Sequence, residues 1–232
     1  MKFWRKLHKW IACLIGIQIL LWISGGVVMS AFPIENVRGK HLLLPTLKQN
    51  LKKPVVTNDI SLSKWQSLSW KLSQNNWVLE AVNIEGQTYW LNPSTGKPAP
   101  YLTQANILAL AESRHAKGAK AKTVINLKTI PFEVRHLNLP MYQVNFDDWI
   151  HTSFYINPQS GKIVSVRSDI WRLYDFFWML HIMDYQDRED FNHPLLIGAA
   201  GLSLLFTLTG LILVYFSVLK PWYAKLKYRK RF

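Results

Sequence analysis

Three histidines stand at the edges of long apolar runs: His8 in "RKLHKW", His181 in "RLYDFFWMLHIMDY" and His193 in "DFNHPLL". Neutral imidazole is a good ligand for haem iron, and histidines at the two ends of a helical bundle are the residue type that holds a b-type haem axially. On a helix Tyr174, Phe177, Trp178, His181 and Tyr185 share one face, with Arg172 and Asp175 on another. An imidazole within an aromatic face suits a flat apolar cofactor. It suits the headgroup zone of a bilayer equally, where Trp and Tyr gather, so ligand and interfacial anchor both stand. His8 lies between Trp4 and Trp10 and admits the same two readings. His193 precedes Pro194 at the start of an apolar run, with Asn192 placed to cap it. No histidine follows His193, so a bis-histidine site at the inner end would need His8 from each of two chains.

Other chemistry has little to draw on. The sequence contains no HExxH, GxSxG or CxxC motif and no Gly-rich phosphate loop. Asp147 and Asp148 are adjacent, and neighbours on a strand point to opposite faces, so they read as a turn or strand end. His41, His115, His136 and His151 read as solvated structural residues. NAD and flavin binding are unsupported.

The elements that carry the three histidines follow from composition. Trp10 to Ile34 and Leu195 to Leu219 each run for 25 residues without Asp, Glu, Lys or Arg. At about 1.5 Å per residue each exceeds the roughly 30 Å hydrocarbon core of a bilayer. The net charge of +14 would fit nucleic acid, but ten basic residues lie outside the two runs, at the chain ends, with no acid beside them. Such clusters set membrane orientation, so the charge is read as topology and nucleic acid is not a partner. Both termini are expected in the cytoplasm and residues 35–190 in the periplasm of a bacterial inner membrane. The first run is too long for a signal-peptide core and is read as a retained anchor. Cys13, the only cysteine, lies within it, so no disulfide forms within one chain.

Between the runs lies an internal repeat. "YWLNPSTGKPAPYL" from Tyr89 and "FYINPQSGKIVSVR" from Phe154 match at an offset of 65 residues. Asn-Pro followed by Gly is turn chemistry, with Gly96 and Gly161 free to take positive φ, so each copy reads as a β-hairpin. Before the second, Thr103 can cap a helix bearing Ile107, Leu108, Leu110 and Ala111 and stopping at Gly118. Before the first lies "SLSKWQSLSWKLSQ" in the corresponding place. Two copies of a helix with antiparallel strands predict an α+β tandem repeat. The expected organisation is a basic N-terminus 1–9, a transmembrane helix 10–34, a linker 35–54, the repeat domain 55–168, an amphipathic juxtamembrane helix 169–190, a second transmembrane helix 191–219 and a basic tail 220–232.

In this order "RKLHKW", the "NPxxGK" hairpins, "YQVNFDD", "RLYDFFWMLHIMDY", "DFNHPLL" and a closing span with "LTG" resemble the PepSY domain proteins of the PepSY-associated transmembrane helix type. The resemblance covers nearly the whole chain. It implies a periplasmic PepSY-like tandem repeat tethered by two transmembrane α-helices. Relatives that reduce iron–siderophore complexes hold haem between their spans. By that likeness His8, His181 and His193 would ligate haem b in a component moving electrons towards ferric iron, acting as a homodimer or within a larger membrane redox complex. PepSY domains elsewhere act as protease-inhibitory or chaperone-like segments, which implies a non-enzymatic binding or regulatory module instead. An accessory subunit of a membrane complex is a third expectation.

Overall fold

A computed structural model describes residues 2–45, 62–73 and 76–229. The chain divides into two units, residues 33–172 and residues 1–32 with 173–232. Residues 46–54 of the expected linker and the start of the expected repeat domain lie outside the described residues, as do Lys230 and Arg231 of the tail.

Among the described residues, 33–172 hold seven strands in two antiparallel sheets. The unit begins with helix α2 (Ile34–Val37) and a 3-10 turn at Lys40–Leu42. Val37 and Leu42 are buried, and Leu42 joins the main core, so this part of the expected linker belongs to the fold. Backbone bonds fix it: Leu44 donates to Arg114 at 2.9 Å and Ala116 donates to Leu42 at 2.9 Å.

Strands β1 (Trp65–Ser73), β2 (Asn76–Asn83) and β3 (Thr88–Leu91) form the first sheet in that order. Among the described residues of "SLSKWQSLSWKLSQ" the helix expected in the first repeat is absent, and the segment supplies β1 instead. Its residues alternate: Leu68 pairs with Ala81 and Trp70 with Leu79, which in turn pairs with Leu91, placing an apolar set on one face.

Helix α3 (Gln104–Arg114) starts as expected, with the Thr103 hydroxyl accepting the Asn106 N–H. Ile107 and Ala111 are its buried residues. It packs on the second sheet, β4 (Ala121–Asn126), β5 (Tyr142–Phe146), β6 (Ser153–Ile156) and β7 (Ile163–Arg167), again in sequence order. Phe154 and Ile156 of β6 face the cluster with α3 and Leu42, while Tyr155 faces a second cluster with Val134 and Met141. Both faces of β6 are therefore covered, and each large apolar side chain buried there contributes about 1.5–3 kcal/mol.

The two Asn-Pro turns have the same geometry. Gly96 and Gly161 have φ of 66° and 64°. Each donates to the turn's asparagine carbonyl at 2.9 Å, and Asn92 and Asn157 donate to Lys97 and Lys162 at 2.8 and 3.0 Å. β3 and β6, which lead into them, stand at the 65-residue offset of the sequence match.

The other unit contains α1 (Lys2–Ala31), the C-terminal part of α4 (Asp169–Ile182), and α5 (Pro194–Val214), which continues through a π-helical turn at Tyr215–Leu219 into α6 (Lys220–Arg229). Trp4, His8, Ile11, Ile15, Gln18, Trp22, Gly25 and Met29 alternate spacings of four and three along α1. That is the heptad seam by which two helices pack. Ile11 and Ile15 meet Ala199 and Phe206 there. Outside the seam the helices are apolar and open: Leu14 and Ile17 are 74% and 77% exposed. Both long helices have the length and hydropathy to cross a membrane, and only 17% and 6% of their most apolar stretches are buried.

Candidate functional site

The described residues place the three histidines in three different settings. His8 Nδ1 lies 2.9 Å from the Thr209 hydroxyl, and its ring stacks on Phe206 with centroids 4.3 Å apart. Gly210 lies close enough that a Cβ there would come 3.2 Å from His8 Cε1. The residue buckles α1 to α5.

His193 is the N-cap of α5, the place the sequence assigned to Asn192. Its Nδ1 accepts the Leu196 N–H at 3.4 Å, and its Nε2 donates to the Ile182 carbonyl at 2.9 Å. Both ring nitrogens are engaged, so iron ligation would cost it one of these bonds.

His181 lies in the last turn of α4, which ends at Ile182, so Tyr185 falls beyond the helix and outside its aromatic face. Phe177 packs on Gly25, and the His181 ring lies 6.2 Å from Trp22. Asp175 pairs with Arg188, and the Trp178 indole donates to the Arg188 carbonyl at 3.2 Å. The His181 Nδ1 is buried and has no hydrogen-bond partner.

A common purpose emerges at the end of α4. The last carbonyls of a helix have no partner within it and must find donors elsewhere. Leu180 accepts from Gln18 Nε2 at 3.0 Å, His181 from Trp22 Nε1 at 2.7 Å, and Ile182 from His193 Nε2 at 2.9 Å. Gln18 and Trp22 carry no signal in the sequence that would single them out, since their acceptors lie 162 and 159 residues away. The loop beyond is drawn around Asp184, whose carboxylate accepts four backbone N–H groups and is held at about 2, chiefly by those of Glu189 and Asp190.

No two of His8, His181 and His193 share a hydrogen bond or ring contact, and His8 is anchored to Thr209, fourteen residues along α1 from Trp22, about 21 Å. Among the described residues no group of three or more His, Cys, Asp or Glu is placed to hold a metal ion.

Two polar clusters in residues 33–172 carry no signal in the sequence. His115, expected in solvent, is 1% exposed and lies against Phe146 and Phe154. Its Nδ1 accepts the N–H groups of Lys117 and Ala119 at 3.3 and 3.2 Å, which closes α3 before Gly118 is reached. Its Nε2 lies 3.5 Å from Asp148, whose carboxylate also holds the Thr152 N–H and hydroxyl. Asp148 thus has the turn role expected of it. The second cluster centres on Glu133, which binds Arg172 Nε at 2.9 Å and the buried Tyr155 hydroxyl at 2.5 Å. Burial and then Glu133 push the Tyr155 phenol well above its ordinary value. Arg172 also reaches Asp169, which pairs with His151, a residue at φ 47°.

Burial lowers the His115 pKa, against the opposing pull of Asp148. A lowered imidazole value means that the unfolded chain binds the proton first, so stability is complete above about 6.5 and falls as pH drops below it. The loss is expected to run at about 1.4 kcal/mol per pH unit until the folded value is reached. Urea midpoints between pH 8 and pH 5 check this, and the His115→Gln variant should lack that share of the slope.

The chain is an α+β protein that has, among the described residues, two antiparallel sheets and two helices long and apolar enough to span a membrane. In comparisons with known proteins, no family model, curated protein or solved structure matches it.

Proposed function

We propose that the chain is a bacterial inner-membrane protein of the PepSY type, and that it acts as a non-enzymatic binding or regulatory module. In this reading α1 and α5 cross the membrane with both termini cytoplasmic, and residues 33–172 work on the periplasmic side. The uncompensated basic residues at both ends support that orientation. The observation that carries the reading is the employment of the histidines. His8 joins α1 to α5, and His193 both caps α5 and satisfies α4, so these side chains serve architecture. The working surface then lies in the sheets. Among the described residues β1 pairs only with β2, which leaves one edge of a sheet containing Trp65, Trp70, Trp77 and Trp90 for an extended polypeptide to join.

The full chain, purified in detergent from haem-replete cells, should be colourless. Its tryptophan emission should shift saturably on addition of reduced, carboxymethylated α-lactalbumin as an unfolded probe. An unchanged emission would overturn the proposal.

A second reading, an electron-transfer component with haem b held between two chains, is favoured by the buried, unpartnered Nδ1 of His181. It requires a reduced-minus-oxidised b-type spectrum that His181→Ala diminishes.

A further inference from the structure

Lys2, Arg5, Lys6 and Lys9 stand at i, i+3, i+4 and i+7 of α1, which gathers them on one face, away from the seam of Trp4, His8 and Ile11. All four are exposed. No acidic residue occurs before Glu35 or after Asp190, and among the described residues none of the four forms an ion pair. They also crowd the wrong end of a helix. The first turn carries the positive pole of the macrodipole, where cations are unfavourable, and α1 has no acid there to offset it.

The pairing of α1 with α5 sharpens this conflict. The contact of His8 with Thr209 sets Lys9 level with about residue 208, whereas the apolar run of α5 continues to Leu219. Lys9 thus lies about 18 Å along the bundle from Lys220. The basic stripe is held beside hydrocarbon-loving residues, not level with the basic tail. Above it the same face of α1 continues as Cys13, Gly16, Ile17 and Leu20. From Lys9 to Leu20 is about 16 Å, close to half the roughly 30 Å core of a bilayer. A short cationic stretch followed by a leaflet's depth of open apolar surface has the polarity of one anionic phospholipid.

We infer that this face of α1 binds an anionic phospholipid, with its phosphodiester on Arg5, Lys6 and Lys9 and an acyl chain along Cys13 to Leu20. The inference rests on the membrane-spanning reading of α1 and α5. The phosphate neutralises the stripe and complements the helix pole, and it draws the inner leaflet surface towards Lys9.

The test uses the full chain in nanodiscs of phosphatidylcholine containing phosphatidylglycerol, followed by detergent extraction and mass spectrometry of retained lipid. Wild type should retain phosphatidylglycerol about thirtyfold or more over phosphatidylcholine, relative to their shares of the disc, as expected for two or three surface cations at about 1 kcal/mol each. The comparison protein is K2F/F3K/K9W/W10K, which exchanges exposed neighbours and keeps charge and composition while scattering the stripe. It should lose most of that preference. Equal retention by the two proteins would overturn the site, leaving general attraction by net charge. Arg5→Gln with Lys6→Gln gives a second variant whose neighbours are untouched, and retention at the wild-type level there would overturn it too. Alkaline extraction of cell membranes separates the failures: release of the chain defeats the spanning reading, whereas a retained chain without lipid preference defeats this inference alone.

Discussion

Gly39→Ala is expected to destabilise residues 33–172 by about 2–5 kcal/mol, from left-handed strain of about 1–2 and overpacking of about 1–3. Gly39 has φ 71°, and a Cβ on it would stand 2.5 Å from Val166 Cγ1 and 2.9 Å from Val166 Cβ. Val166 cannot retreat, because it is buried in the main core and paired with Phe154 across β6 and β7. Gly86 supplies the control. Its φ is 78°, but nothing lies near its Cβ position, so Gly86→Ala should cost only the strain, about 1–2 kcal/mol. Denaturant unfolding of the full chain in micelles, read by near-ultraviolet circular dichroism, measures both. Equal losses would show that Val166 does not crowd Gly39.

His193→Ala should be the most damaging single change in the helical unit. It removes the N-cap of α5, worth about 1 kcal/mol, and leaves the Ile182 carbonyl without its donor at about 1–3 kcal/mol. His193→Asn keeps a capping side chain but is too short to serve both ends, so an intermediate loss is expected. Thermal midpoints in micelles rank the three proteins. If His193→Ala melts with wild type, the double hydrogen bond contributes nothing, and the histidine is again available for other roles.

Local chemistry was legible in the sequence where a few neighbouring residues decide it. The charge-free runs announced α1 and α5, Thr103 announced α3, and Asn-Pro with a following glycine announced both turns down to the sign of φ at Gly96 and Gly161. The tract from Asp169 is a helix, but it stops at Ile182, short of the expected end at residue 190. β1 was misread because its assignment leaned on likeness to the second repeat, while its own alternation of Leu68, Trp70 and Leu72 pointed to a strand. The burial of Leu42 and His115 was hidden for a different reason. Leu42 meets Ile107, Phe154 and Val166, and His115 meets Phe146 and Asp148, so each is defined by partners from other elements. The histidines show the same limit most sharply. Their spacing suggested what they can bind, but only the fold shows that Thr209 and the end of α4 already claim His8 and His193.

Both sheets are simple meanders, with every strand beside its neighbour in sequence, and that order has a kinetic consequence. Low contact order lets each sheet close without waiting for distant chain, so a ribosome-bound chain can complete β1 to β3 and then β4 to β7 as they emerge. The end of α4 cannot be finished on that schedule. Gln18 and Trp22 are made among the first residues, but the donor to Ile182 arrives only with His193, next to the last apolar helix. The end of α4 is thus closed only by the residue that starts α5, and the seam of α1 with α5 closes later still, at Phe206 and Thr209, so a chain stalled before His193 would hold folded sheets beside an unfinished helical unit.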